Sequence, residues 1–334
     1  MLTSELDYEL PEELIAQRPA APRDSSRLMV VDVPRGSIEH FAFRDLPRSL
    51  NPGDAVVLNE TKVLPARLSA RRPGGGETEL LFLRNITGGG LWEVMARPAR
   101  RLRAGMALSV GNEEIEVVES LGEGRWTVLG ADISGVLRRH GRVPLPPYIR
   151  ATPEAEEEYQ TVYARCEGSA AAPTAGFHFT RETLQAVQSA GAGVTKVTLH
   201  VGMGTFSPVR TETLAEHRMH AEYYSVPEEA VRVVNEAQRV VAVGTTAARA
   251  LETWAANGVR EGESELFVQP GYHWRAVGAL LTNFHLPRST LLAMVMAFAG
   301  KELVREAYGV AVSERYRFFS FGDAMLLLDG GRAR

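Results

Sequence analysis

Cysteine, lysine and long apolar runs are what this 334-residue chain has least of. Cys166 is the only cysteine, which excludes an intramolecular disulfide and a thiolate cage for a metal. A lone thiol can still be a nucleophile, but no histidine stands near it in sequence to activate it. The longest apolar stretch, Leu291 to Ala299, is far short of the roughly 20 residues that span a bilayer. The first ten residues are acidic and lack an apolar segment behind positive charge, so no secretory leader and no membrane are expected, and a cytoplasmic place is. Lysine occurs only at Lys62, Lys196 and Lys301. A codon bias explains the arginine excess, and the guanidinium fork also suits phosphate recognition.

The formal charge of −4 argues against indiscriminate binding of nucleic acid. It is unevenly spread. Glu60 to Arg150 holds 14 Lys plus Arg against 10 Asp plus Glu, a net of +4, while the rest has 23 against 31, a net of −8. A basic face on an acidic protein is therefore available.

The length suits two domains. Between Thr78 and Leu129 short β-rich runs recur: Thr78 to Arg84, Leu91 to Arg97, Met106 to Val110, Ile115 to Glu119 and Arg125 to Leu129. Glycine turns separate them, which predicts a small antiparallel barrel or sandwich. The flanks alternate strands (Leu28 to Val33, Ala55 to Leu58) with helical patterns (Pro11 to Arg18, Arg181 to Ala190, Glu228 to Gln238). That alternation predicts an α/β domain with a largely parallel sheet. The all-β region is thus an insertion: residues 1–59 and 150–334 form the discontinuous α/β main domain and residues 60–149 the inserted one, with the return crossing near the PLPPY segment ending at Tyr148.

Several segments have the composition of a site. RVVAVGTTAARALETW reads as a buried strand ending at Gly244, with Thr245 and Thr246 opening a helix. The free N–H groups of such a helix start, with a threonine hydroxyl, hold a carboxylate or phosphate; ordinary capping accounts for the threonines equally well. VTKVTLHVGMGTF alternates so that Val197, Leu199 and Val201 share one face and Thr198 and His200 the other, then enters a glycine loop. Such loops bind ligands at the carboxyl ends of parallel strands, although a lone strand histidine is more often structural. SAAAPTAGFHFT carries His178 between Phe177 and Phe179; the rings are suited to stacking on a base or sulfonium, and a packed turn around a core histidine explains them too. LLTNFHLPRSTLLAMVMAFAG places Asn283, His285 and Arg288 before a helix capped by Ser289 or Thr290 and ended by Gly300. His217 and His220 lie three apart near Glu222, but without further ligands they suit acid–base work or RNA contact better than a metal. Arg97, Arg100, Arg101 and Arg103, with Arg71, Arg72, Arg138, Arg139 and Arg142, form either a solvated surface or a phosphate track.

Taken in order, VLNETKVLPARL, GSAAAPTAGFHF, VTLHVGMGTF, HRMHAEYY, VGTTAARALE and LLTNFHLPRSTLL resemble the S-adenosylmethionine:tRNA ribosyltransferase-isomerase family almost end to end, from LPEELIAQRPA to YRFFSFGDAMLLL. Glu60, Met203 and Gly278 depart from the usual Asp, Ala and acidic residue; the histidines and the Thr pair are retained.

The resemblance implies an α/β main domain carrying an inserted six-stranded antiparallel β-barrel, a cytoplasmic monomer, and no metal. It implies that the ribosyl part of S-adenosylmethionine, a co-substrate, moves onto 7-aminomethyl-7-deazaguanine at the tRNA wobble position. Adenine and methionine leave, and epoxyqueuosine results, on tRNAs of the Tyr, His, Asn and Asp types. A sulfonium acidifies the ribose 5′ carbon, so a base can take its proton and an acid can assist departing adenine; histidine suits either task. His178, His200, His285, Glu222 and Asp323 are assigned to that acid–base and orienting group. Gly244, Thr245, Thr246 and Arg249 are assigned to the methionine carboxylate or an RNA phosphate. Thr174, Gly176, Phe177, Phe179, Gly202, Gly204, Thr205, Phe206, Asn283 and Arg288 complete the expected substrate contacts. Lys62, Arg67, Arg97, Arg100, Arg101, Arg103, His217 and His220 are expected to face tRNA. A methyltransferase sharing the ligand would release S-adenosylhomocysteine instead of adenine, and a mere RNA-binding module would leave the sulfonium unconsumed.

Overall fold

Two apolar patterns divide the computed structural model, which describes residues 1–86, 90–150, 152–202 and 209–328. Its strands are β1 (Arg27–Asp32), β2 (Ser37–Ala42), β3 (Asp54–Asn59), β4 (Thr61–Val63), β5 (Arg67–Arg71), β6 (Glu77–Asn85), β7 (Leu91–Arg97), β8 (Met106–Val110), β9 (Glu113–Gly122), β10 (Arg125–Leu129), β11 (Cys166–Ser169), β12 (Gly193–Leu199), β13 (Glu222–Ser225), β14 (Arg239–Val243), β15 (Glu261–Ser264), β16 (Ala279–Asn283) and β17 (Ala324–Leu328). Its helices are α1 (Ile133–His140), α2 (Pro153–Glu158), α3 (Arg181–Ser189), α4 (Glu228–Glu236), α5 (Thr245–Asn257), α6 (Thr290–Ala299) and α7 (Lys301–Ser313).

Strands β3, β14 and β16 are apolar at nearly every central position, the pattern of strands buried on both faces. They form the middle of a nine-stranded sheet ordered β15-β13-β12-β3-β14-β16-β17-β1-β2. Side-chain alternation splits each strand between two cores. Val57, Val240, Ala242 and Leu280 join α5, α6 and α7 on one face, and Val56, Val241, Val243 and Leu281 join Val187 of α3 on the other. The largely parallel sheet expected from the alternation of elements is corrected to a mixed one. Only β12–β3, β3–β14, β14–β16 and β17–β1 run parallel. β15–β13, β13–β12, β16–β17 and β1–β2 are antiparallel. The parallel centre survives because helices cover both faces there, whereas β17 returns against β16 after two helices and reverses the direction.

Alternation, clearest in β5, β8 and the first half of β9, marks the second pattern. Strands β5 to β10 close into an all-antiparallel barrel ordered β10-β7-β6-β5-β8-β9. Leu68, Leu80, Phe82, Val94, Leu108, Ile115, Val117 and Val128 fill it, and Ile133, Val136 and Leu137 of α1 join the same core. Asp132 caps α1 by accepting from the Gly135 amide at 2.9 Å. The chain enters and leaves the barrel side by side: Arg67 N–H donates to the Arg142 carbonyl at 3.0 Å, and Arg142 N–H to that of Arg67 at 2.7 Å. Just outside, β4 pairs in parallel with β11.

The helix expected over Pro11 to Arg18 is a single 3₁₀ turn at Glu12–Leu14. Ala16 N–H donates to the Phe318 carbonyl and Phe318 N–H to that of Leu14, so pairing with distant backbone wins over local helix formation.

Candidate active site

Four adjacent strands of the main sheet, β12, β3, β14 and β16, point their carboxyl ends the same way, and the segments after two of them enclose most of a cavity of about 230 Å³. This is where α/β sheets gather ligands, because the loops there converge while the strands hold them still. β14 supplies Gly244, Thr245 and Thr246; β16 supplies Thr282, Asn283, His285, Leu286, Pro287 and Ser289. Val201 follows β12, and Tyr148, Ala172 to Ala175, Phe319 and Ser320 complete the wall. Thr245, Thr246 and Leu291 also border a smaller adjoining cleft lined by Glu222, Arg249, Met219, Met294 and Phe267.

Gly244 turns β14 into α5 at φ 87°, a left-handed conformation that glycine adopts at no steric cost. Among the described residues no side chain caps α5, so its first N–H groups have no side-chain partner there and suit a ligand or solvent. The Thr246 hydroxyl oxygen accepts from Asn59 Nδ2 at 3.0 Å. Asn59, at the end of β3, also donates to the Leu199 carbonyl and accepts from the amides of Leu199 and Thr61. Its amide thus ties β3, β12 and α5 together. The hydroxyl hydrogen of Thr246 has no acceptor among the described residues.

His285 borders the cavity. Its Nε2 lies 2.7 Å from the Thr282 hydroxyl, its N–H donates to Tyr308 at 3.0 Å, and its carbonyl accepts from Tyr8 at 2.5 Å. Burial pulls its imidazole down to about 3, so the ring is neutral at physiological pH. His200 accepts or donates at Nδ1 with the Thr61 hydroxyl 2.8 Å away and stacks on Tyr223; burial pulls it down to about 4. It does not line the cavity. His178 is wholly interior, between Ser26 at 2.8 Å and Asn283 at 3.3 Å, stacked on Phe43. Burial, helped by Arg317 and Arg23, pulls it down to about 3.

The carboxylates divide similarly. Glu222 accepts from the Gly202 amide at 2.7 Å and pairs with Arg249 at 2.5 Å, both buried. Arg249 also donates to the carbonyls of His220 and Ser264. Burial pulls its guanidinium down and Glu222 opposes this. Asp323 lies outside the cavity wall. It accepts from the Arg27 and Arg317 amides at 3.0 and 2.8 Å and from the Arg317 guanidinium, bracing the start of β17.

The expected ring-stacking pair is placed in the core. Phe177 packs on Tyr159 and Phe321, and Phe179 on Phe43 and Tyr163, so the packed-turn alternative describes them. Gly176 serves that packing, since a Cβ there would lie 1.9 Å from the Tyr163 hydroxyl. Thr174 does line the cavity. Arg288 points away to an exposed ion pair with Asp7 at 2.5 Å. Gly204, Thr205 and Phe206 lie outside the described residues.

Among the nucleic-acid candidates, Lys62 pairs with Glu167 at 2.9 Å and Arg67 stands 3.9 Å from Glu79. Arg84, Arg125, Arg139 and Arg142 of the insertion are also paired with glutamates. Arg97, Arg100, Arg101 and Arg103 are exposed around the turn between β7 and β8, with no ion pair among the described residues. His217 packs edge-on to Phe267 and His220 is exposed. Among the described residues no three His, Cys, Asp or Glu side chains converge as a metal site.

Sequence reasoning missed Asn59, Tyr148, Thr282, Ser289 and Ser320 as parts of the site. Asn59 and Ser320 stand inside segments that carry the resemblance, and Tyr148 ends the PLPPY crossing. Its hydroxyl lies 2.8 Å from that of Ser320, and burial pushes it up to about 12.

A family model described as queuosine biosynthesis protein matches residues 3–327. The chain is similar to the S-adenosylmethionine:tRNA ribosyltransferase-isomerase of Rubrobacter xylanophilus, at 71% identity over all of this chain and 99% of the relative. It is similar to that of Moorella thermoacetica at 49%, over 98% of this chain and all of the relative. A crystal structure of S-adenosylmethionine tRNA ribosyltransferase from Thermotoga maritima is 38% identical with a TM-score of 0.57, over 97% of this chain and all of that one.

Proposed function

The chain belongs to the queuosine biosynthesis protein family, and from that premise we propose how its residues divide the work of ribosyl transfer and isomerisation. The enzyme takes the ribosyl part of S-adenosylmethionine onto 7-aminomethyl-7-deazaguanine at the tRNA wobble position, giving epoxyqueuosine with release of adenine and methionine. Its substrates are tRNAs of the Tyr, His, Asn and Asp types, and it works as a cytoplasmic monomer. Residues 60–149 act as the inserted unit and the remainder as the reacting domain.

One observation carries the division of roles: His285 and the uncapped start of α5 border the same cavity. The N–H groups of α5 and the Thr246 hydroxyl hold the methionine carboxylate. His285, neutral and at the wall, exchanges protons with the ribosyl C5′ or the departing adenine. A base whose pKa is lowered becomes a strong acid once protonated, so the proton it takes is readily passed on. His200 stands in reserve for the second transfer, and His178, Glu222, Asp323 and Arg249 orient the groups around them. The sulfonium already acidifies C5′, so no metal is given a part. Arg97, Arg100, Arg101 and Arg103 take RNA phosphates, with Lys62, Arg67, His217 and His220 nearer the reacting nucleotide.

Incubating the whole protein with precursor tRNA and S-adenosylmethionine tests the reaction. Free adenine and methionine are expected; S-adenosylhomocysteine in their place would establish methyl transfer instead.

A further inference from the structure

Asn283 ends β16 and borders the cavity, yet is only 2% exposed. Its amide nitrogen is held twice, donating to the Phe319 carbonyl at 3.0 Å and to His178 Nε2 at 3.3 Å. An imidazole that accepts at Nε2 carries its proton at Nδ1, where Ser26 Oγ lies 2.8 Å away. The amide is therefore oriented from behind. Turned over, its oxygen would face the Phe319 carbonyl oxygen, an acceptor that cannot donate to it. With both N–H bonds engaged, Oδ1 is left buried and without a partner among the described residues.

Buried acceptors are nearly always satisfied, so an orphan at the edge of a cavity marks a position that something else fills. The α5 side of the cavity has the opposite polarity, with the Thr246 oxygen engaged by Asn59 and its hydrogen without an acceptor among the described residues. A ligand suited to both presents an acceptor to α5 and an N–H to Asn283.

We propose that Asn283 Oδ1 receives an N–H of S-adenosylmethionine, and that Ser26 and His178 are positioning residues that set the amide for it. This rests on the cavity being the S-adenosylmethionine site. Two groups of that molecule share the required chemistry, the 6-amino group of adenine and the α-ammonium of the methionine part. Either is recognised by an acceptor whose own N–H groups are committed elsewhere.

Calorimetric titration of the whole protein with three probes tests the assignment: S-adenosylmethionine, its inosyl analogue with a 6-oxo group, and its analogue lacking the α-amino group. The wild type is expected to prefer S-adenosylmethionine over one analogue by about tenfold or more, since that analogue leaves Oδ1 unpaired. Asn283→Ala should bring that ratio close to one and leave the other ratio as it was. Ser26→Ala should lower the same ratio in part, and an unchanged ratio there removes the positioning role. Equal affinity of the wild type for all three probes overturns the proposal without recourse to a variant, as does an Asn283→Ala protein that keeps both ratios. Adenine release measured on the same preparation separates the two levels of inference: release without any amine preference overturns the role of Asn283 and leaves ribosyl transfer standing.

Discussion

In the barrel, Arg97, Arg100, Arg101 and Arg103 stand in solvent with no carboxylate partner among the described residues, while in the main domain Arg249 lies buried against Glu222 and Arg239 partly buried against Asp54. The same residue type thus serves opposite ends. Exposed and unpaired, a guanidinium costs little to place and stays available to a polyanion. Buried, it must be compensated, and it then belongs to the scaffold. The histidines follow the same rule, since those deepest in the main domain are held neutral by burial. Unpaired positive charge stands on the outside of one region, and paired or neutralised groups lie inside the other.

The sharpest way to break this contrast is to unpair a buried ion. Glu222→Ala leaves Arg249 uncompensated and should cost about 3–5 kcal/mol in chemical denaturation. Removing all four barrel arginines should leave stability nearly unchanged; equal losses would erase the distinction.

Acid should act on the main domain next. His178 and His285 fall from an ordinary 6.5 to about 3 in the fold, so the unfolded chain binds their protons first as pH drops. Stability is then complete above about pH 6.5 and declines toward pH 3. Denaturation at pH 7 and pH 5 should differ by roughly 4 kcal/mol from these two groups together, at about 1.4 kcal/mol per pH unit each below 6.5. A flat profile would mean that the rings are not held neutral.

For the reaction, His285→Ala should lower single-turnover adenine release by about two powers of ten or more, with tRNA affinity intact. Near-normal release would take this ring out of the chemistry. The smallest effect concerns the barrel. Replacing Arg97, Arg100, Arg101 and Arg103 by Ala should reduce the salt dependence of tRNA binding, by about 0.7 in log–log slope per lost single-strand phosphate contact. Filter binding across a salt series measures it, and an unaltered slope would place the RNA elsewhere.

Legibility differed between the two regions for a physical reason. Five barrel strands could be read because alternation and glycine turns are local signals. The sixth, Arg67–Arg71, was hidden by its charged ends and passed as part of a tRNA-facing segment. In the main sheet the strands were visible but their directions were not, because the antiparallel entry of β17 between β16 and β1 depends on contacts across the whole chain. The helix start at Thr245 and the loop after β16 were recognisable as candidates for a site, and both line the cavity. The placement of Phe177, Phe179 and His178 in the core was not, since a small-residue loop around an aromatic has the same composition whether it packs on a ligand or on Tyr159 and Phe43.

The reciprocal bonding of Arg67 and Arg142 gives the barrel a single doorway. A cassette whose two ends meet can be cut out of a gene, traded for another, or grown in length while its host closes over the scar with a short turn.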